Sequence, residues 1–204
     1  MINEPSQNFY MIPKISTMKT VIEEWETIEP PSPPDVKAVT VNSQETALLI
    51  LDIQTQNCGK RPRCTERIPH LTQLLARARE SKMLVVYSLI RSGQVEDILK
   101  EVKPEKGEPV VKSGVDKFYQ TDLDTILKEN NIKTVIITGT SAHGAVLHTA
   151  TGAAARNYTV IIPVDTISSG EPYAEQYTVW HMMNAPGTRN YAAITRTDLI
   201  TIEL

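Results

Sequence analysis

The chain has 204 residues, 41% of them hydrophobic and 22% charged, with a formal net charge of -3. That length suits one globular domain with a sizeable core, or one domain plus an arm. The acidic balance argues against a nucleic-acid binder or a polybasic membrane protein, and no apolar run approaches the ~18 residues of a membrane span.

The opening stretch MINEPSQNFYMIPK lacks the basic-then-apolar pattern of a secretory leader. The two cysteines, Cys58 and Cys64, are fewer than a disulfide scaffold needs, so a reducing cytosol is the expected compartment. Residues 1–45 hold six of the thirteen prolines, including PPSPPD at 30–35, and show no sustained periodicity. They are expected to form an arm lying on the body or on a partner subunit, with VIEEW at 21–25 able to pair as a short edge strand.

From residue 46 to 204 a single domain is expected, because strand and helix signals alternate. TALLILDI (46–53) reads as a buried strand, Ile68, Leu71, Leu75 and Ala78 recur at helical spacing, and MLVVYSLI (83–90) is the next strand. A polar loop with EKGEPVV leads to a short helix sharing Leu123, Ile126 and Leu127 on one face, with Thr121 and Asp124 as a weak capping box. TVIITG (134–139), TVIIPV (159–164) and YAAIT (191–195) supply further strands. Continuous apolar strands separated by helices imply a three-layer α/β/α domain around a six-stranded, mostly parallel sheet. In such sheets a ligand sits beyond the carboxyl ends of the strands, where the strand order reverses.

The strand ends therefore carry the chemistry. Asp52 follows five apolar residues and should be buried, so it needs a partner or a shifted pKa. Lys112, after Val110 and Val111, is the natural candidate. The turn TGTSAHGAVLHTA (138–150) opens a helical pattern without an evident nucleophile in its first turn. GTSAHG has the outer glycine spacing of a phosphate loop, but Ala145 and Val146 stand where lysine and a hydroxyl residue are required, and no GxGxxG follows a strand. His143 and His148 are five apart and do not share a helical face well, so no metal or cofactor is expected. In the loop Asn57–Cys64 a redox pair, a metal pair, a nucleophile and an anion clamp compete. The clamp, through Arg61 or Arg63, is favoured because a guanidinium grips a carboxylate bidentately. Tyr173, Tyr177 and Trp180 form a stripe better suited to a core or subunit contact than to a substrate box.

Three of these stretches, in this order, resemble the isochorismatase-like hydrolase superfamily, also called cysteine hydrolases, over residues 46 to about 200. ALLILDIQ is similar to the first-strand motif, which implies a catalytic aspartate at Asp52 with Gln54 beside the substrate. VVKSGVDKFYQTDL resembles K-x-x-x-S-A-F-x-x-[ST]-x-L, which implies the catalytic lysine at Lys112 and a substrate contact at Phe118. The sequence has GVDKF where the family has Ser-Ala before the phenylalanine, so Asp116 and Lys117 would sit at the pocket entrance or form a surface pair.

VIITGTSAHGAVLHTATGAAARNYTVIIPVDTISS resembles the stretch around the family's nucleophile. The family cysteine would fall on Ala145. The resemblance also implies a cis peptide between Thr140 and Ser141 beside an oxyanion site, and makes His143 a substrate contact. Alanine cannot form a thioester, and the loop resembles the G-x-x-A-H-x-G of true isochorismatases. These expectations converge on a metal-independent hydrolase of a small carboxylate-bearing substrate, cleaving a vinyl ether with Asp52 as acid/base. The alternatives are an amide hydrolase using water, Ser141 or a mobile Cys58, and a catalytically silent ligand-binding member. The resemblance further implies a homo-oligomer, dimer or tetramer, without nucleic-acid or membrane partners.

Overall fold

The computed structural model describes residues 18–204, so the first part of the expected arm lies outside the described residues. The chain divides between Ser32 and Pro33 into two compact units. In the first, VIEEW is not a strand. Val21–Glu24 form a helical turn (α1) that continues as a 3₁₀ turn over Trp25–Thr27. The reason is local: Thr20 donates from both its backbone N–H and its hydroxyl to the Glu23 carboxylate, a capping box that nucleates the turn.

The second unit begins earlier than the expected boundary at 45. Val39–Asn42 (β1) lie in parallel register with Ile200–Glu203 (β9) as a separate two-stranded sheet. Lys37 is already bonded to the body, its N–H donating to the Ile194 carbonyl and its own carbonyl accepting from Thr195 Oγ1.

The remaining elements follow in chain order: β2 (Thr46–Leu51), α2 (Pro62–Thr65), α3 (Ile68–Glu80), β3 (Leu84–Ile90), β4 (Val110–Ser113), α4 (Leu123–Glu129) and β5 (Thr134–Thr140). A π-type turn at Ala142–Val146 then leads into α5 (Leu147–Ala154), followed by β6 (Thr159–Pro163), β7 (Ile167–Ser168), α6 (Pro172–Asn184) and β8 (Ala192–Thr195). The main sheet runs β4-β3-β2-β5-β6-β8, with the short β7 beside β5, and every pairing is parallel. This is the expected α/β architecture. The sixth strand of its path is β4, which begins at the apolar pair Val110–Val111.

β2 shows why the sheet must be covered on both faces. Leu48 and Ile50 pack with Ile68, Leu71 and Leu75 of α3, whereas Ala47, Leu49 and Leu51 pack with Leu127 of α4, Ala150 and Ala153 of α5 and Met182 of α6. Successive side chains of a strand point to opposite faces, so an all-apolar strand needs a helical layer on each. The strand order departs in opposite directions from β2 and β5, which makes their carboxyl ends the switch point of the sheet.

Candidate active site

β2 and β5 deliver two chain segments to the same edge. Leu51 is in register with Gly139, so Asp52 and the stretch Thr140–Ser141 leave neighbouring strands side by side. The close approach requires glycine: Gly139 has φ +117°, and a Cβ there would lie 2.1 Å from the Leu51 carbonyl oxygen. Asp52 itself adopts φ +55°, a left-handed conformation uncommon for a residue with a side chain and typical of strained functional positions.

The Asp52 carboxylate is almost sealed from solvent. Ser88 Oγ of β3 donates to Oδ1 at 2.8 Å, and a lysine ammonium donates to Oδ2, also at 2.8 Å. That lysine is Lys117. The expected partner, Lys112, points away: along β4 Val111 and Ser113 face inwards, so Lys112 between them faces solvent. The period of two along a strand excludes it from the inner face. Lys117 reaches Asp52 because the chain turns after β4. Ser113 Oγ donates to the carbonyls of Asp116 and Tyr119, and Lys117 Nζ also donates to the Gly114 carbonyl at 2.7 Å. Lys117 is fully buried, so it is neither an entrance residue nor part of a surface pair.

Burial dominates the electrostatics of this pair. Desolvation pushes the Asp52 pKa up, against the opposing charge and hydrogen bond of Lys117 and the hydrogen bond from Ser88. Desolvation likewise pulls Lys117 down against the attraction of Asp52. Both shifts favour the uncharged forms. The two opposing shifts meet across a contact of 2.8 Å.

The loop after β5 has the expected backbone: the Thr140–Ser141 peptide bond is cis. Thr140 is buried, with its hydroxyl donating to the Ser168 carbonyl. Ala145 is buried and its methyl belongs to the hydrophobic core shared with α4, α5 and α6. Ser141 and His143 line a cavity of about 380 Å³ together with Arg61, Ser169, Gly170, Glu171 and Ala174. Ser141 Oγ lies 3.1 Å from His143 Nδ1, and Ser169 Oγ lies 2.8 Å from the same nitrogen.

The loop after β2 also departs from expectation. Cys58 and Cys64 form a disulfide, and both are buried. Neither is a free thiol, so Cys58 is not available as a substitute nucleophile, and the bond does not suit a reducing compartment. The two arginines of this loop behave differently. Arg63 is bound bidentately to Glu175, Nε at 3.0 Å and Nη2 at 2.5 Å, and is occupied. Arg61 stands at the cavity, which leaves it as the anion-clamp candidate.

Two further candidates sit elsewhere. Gln54 is fully buried, its Oε1 accepting the Ile90 N–H at 3.0 Å, so it ties the segment after β2 to the end of β3. Phe118 packs in the core, its ring 6.2 Å from that of Tyr158 and under the Arg156 guanidinium. Ser169 and Glu175, which the sequence reading passed over, supply cavity wall and support. Ser169 ends the TVIIPVDTISS stretch, whereas nothing in the sequence pattern pointed to Glu175. Among the described residues no group of three His, Cys, Asp or Glu side chains is placed to hold a metal ion, and no helix is long and apolar enough to cross a membrane.

Comparison with known proteins agrees with this fold. The family model for the isochorismatase domain matches residues 46–198. A protein described as the uncharacterized isochorismatase family protein YaaI of Bacillus subtilis is 28% identical over 138 residues, 59% of this chain and 76% of that one. The N-carbamoylsarcosine amidase of an Arthrobacter species is 35% identical over 95 residues, which span 46% of this chain and 35% of the amidase. Among solved structures, N-carbamoylsarcosine amidase from Thermoplasma acidophilum superposes with a TM-score of 0.66 at 24% identity, covering 76% of this chain and 97% of that one. The domain model, matched along three-quarters of the chain, places this chain in the isochorismatase family of hydrolases.

Proposed function

We propose that this hydrolase acts on a small carboxylate-bearing substrate without a covalent thiol intermediate, cleaving a vinyl-ether-type bond with Asp52 as the acid/base. The observation that carries the reading is the buried Asp52–Lys117 contact, in which desolvation raises the carboxyl pKa, combined with an alanine at the position of the family thiol. Protonated Asp52 delivers its proton to the terminal alkene carbon. Water adds to the resulting oxocarbenium carbon and returns a proton to the carboxylate, and the hemiketal then breaks into a ketone and an alcohol. Lys117 holds the carboxyl group in place and stabilises its anion after the transfer. Arg61 is the group suited to hold the substrate carboxylate.

The test is turnover of parallel panels of small carboxylate-bearing vinyl ethers and amides by the full chain. Asp52→Asn should lower turnover of the best substrate on the order of a thousandfold while leaving its affinity largely intact. Near-wild-type turnover by that variant overturns the assignment. The 35% match to N-carbamoylsarcosine amidase supports a second reading, in which water attacks an amide carbonyl at the same site. Ammonia or amine release from the amide panel, with no vinyl ether consumed, selects it.

A further inference from the structure

The cavity lined by Ser141 and His143 holds a reactive arrangement that the Asp52 chemistry does not use. Ser141 Oγ is 3.1 Å from His143 Nδ1, within reach for the hydroxyl to donate to the ring nitrogen. Ser169 Oγ holds the same nitrogen at 2.8 Å and lies 3.5 Å from Ser141 Oγ. Ser169 is itself buried and fixed, because its backbone N–H donates to Glu175 Oε1 at 2.9 Å and Arg63 grips that carboxylate from the other side. The imidazole is thus positioned by a chain of contacts running back to the disulfide loop.

A serine hydroxyl alone is a weak nucleophile. A neutral imidazole nitrogen in hydrogen-bond reach is the arrangement that activates one. Nδ1 offers a single lone pair, so Ser141 and Ser169 share it, and Ser141 is activated when its own hydroxyl is the donor. Ser141 and His143 both open on the cavity of about 380 Å³, with Arg61 on its wall, a space suited to a small acyl group. The alanine at 145 leaves no thiol to compete with it.

We propose that Ser141, with His143 as its base, accepts acyl groups from small activated esters and amides, an activity that goes beyond the Asp52 reaction. Ser141 Oγ adds to the carbonyl carbon as its proton passes to His143 Nδ1. The tetrahedral adduct collapses by breaking the bond to the leaving group, which takes that proton. Water then adds to the acyl-serine with His143 again accepting the proton, and the carboxylic acid leaves as the serine hydroxyl is restored.

The full chain mixed with p-nitrophenyl acetate should release a burst of one p-nitrophenol per chain, and peptide mapping should place one acetyl group on Ser141. Ser141→Ala should lose both signals. Ser141→Cys, close in size and so a control for folding, should keep the burst and lose it on treatment with iodoacetamide, since both native cysteines are tied in the disulfide. His143→Gln should slow acylation on the order of a hundredfold. An acetyl group found only on lysines, a burst unchanged in Ser141→Ala, or wild-type acylation in His143→Gln overturns the proposal.

Discussion

Lys117 Nζ sits 2.8 Å from Asp52 Oδ2, with the lysine wholly buried and the carboxylate nearly so. The contact joins the turn after β4 to the end of β2 and decides which lysine matters. Lys117→Met should cost about 1–3 kcal/mol of stability, a moderate loss because Asp52 can take a proton once its partner is gone. It should also remove most turnover. Lys112→Ala, on the solvent face of β4, should change stability by no more than about 0.5 kcal/mol and leave turnover intact. Denaturant unfolding and steady-state rates of the two variants side by side check the assignment, and equal losses would refute it.

The raised pKa of Asp52 gives the reaction a signed pH dependence. In the proposed reaction the acid form of Asp52 protonates substrate, and that form is populated below the folded-state pKa, which lies above the ordinary 3.8. The substrate-limited rate should therefore fall as pH rises through that value. In Lys117→Met the opposing charge is absent, so the descending limb should move to higher pH. A limb that stays put, or moves to lower pH, would show that Asp52 is not the group being titrated.

A different carboxylate contributes an acid-sensitive share of the stability. Glu108 is desolvated, which works against its charge, but Arg79 binds it through Nε at 2.9 Å and Nη2 at 2.8 Å and the net shift is downward. A depressed carboxyl contributes stability above its unfolded value, and that contribution is lost as pH falls through the folded one. Thermal melts of the wild type should therefore drop below about pH 4.5, the ordinary value for this group. The same drop should be smaller in Glu108→Gln, which starts from a lower plateau.

Gly139 is the backbone hinge of the site. Gly139→Ala would combine a positive φ with a Cβ pressed against the Leu51 carbonyl, so a loss of more than about 2 kcal/mol is expected. Arg61→Ala, by contrast, should raise KM with an unchanged melting temperature. Reducing the Cys58–Cys64 bond should lower that temperature, by an amount equivalent to about 2 kcal/mol. Differential scanning with and without dithiothreitol measures the last effect, and identical melts would show the bond contributes nothing.

Assembly can be tested through two exposed apolar surfaces, each described within its own unit. Val21, Ile22, Trp25 and Ile28 are exposed around α1, and Tyr173, Tyr177 and Trp180 are exposed along α6. Truncation should stop at residue 32, because Lys37 and β1 belong to the body. Deleting residues 1–32 is expected to weaken self-association more than it lowers the melting temperature. Sedimentation showing an unchanged mass would remove the arm from the assembly.

Sequence alone determined the layered parallel sheet, because fully apolar strands such as TALLIL have no other way to bury both faces. It also pointed to Asp52, whose place after that strand puts it at the carboxyl edge. What it did not determine depended on direction and distance. Lys112 and Lys117 lie five residues apart, and only the alternation along β4 and the fold of the Gly114–Lys117 turn decided which of them meets Asp52. Arg61 and Arg63 looked equivalent until Glu175, 112 residues away in sequence from Arg63, occupied one of them. Gln54 and Phe118 lie next to motif residues yet turn into the core. The pairing of Cys58 with Cys64, and of Ser141 with His143, likewise required knowing where loops fold back. Local composition specifies which elements form, because burial and backbone bonding are largely local demands. The partner of a polar group is set by which strands and turns the tertiary structure brings within three ångströms, roughly the reach of a hydrogen bond.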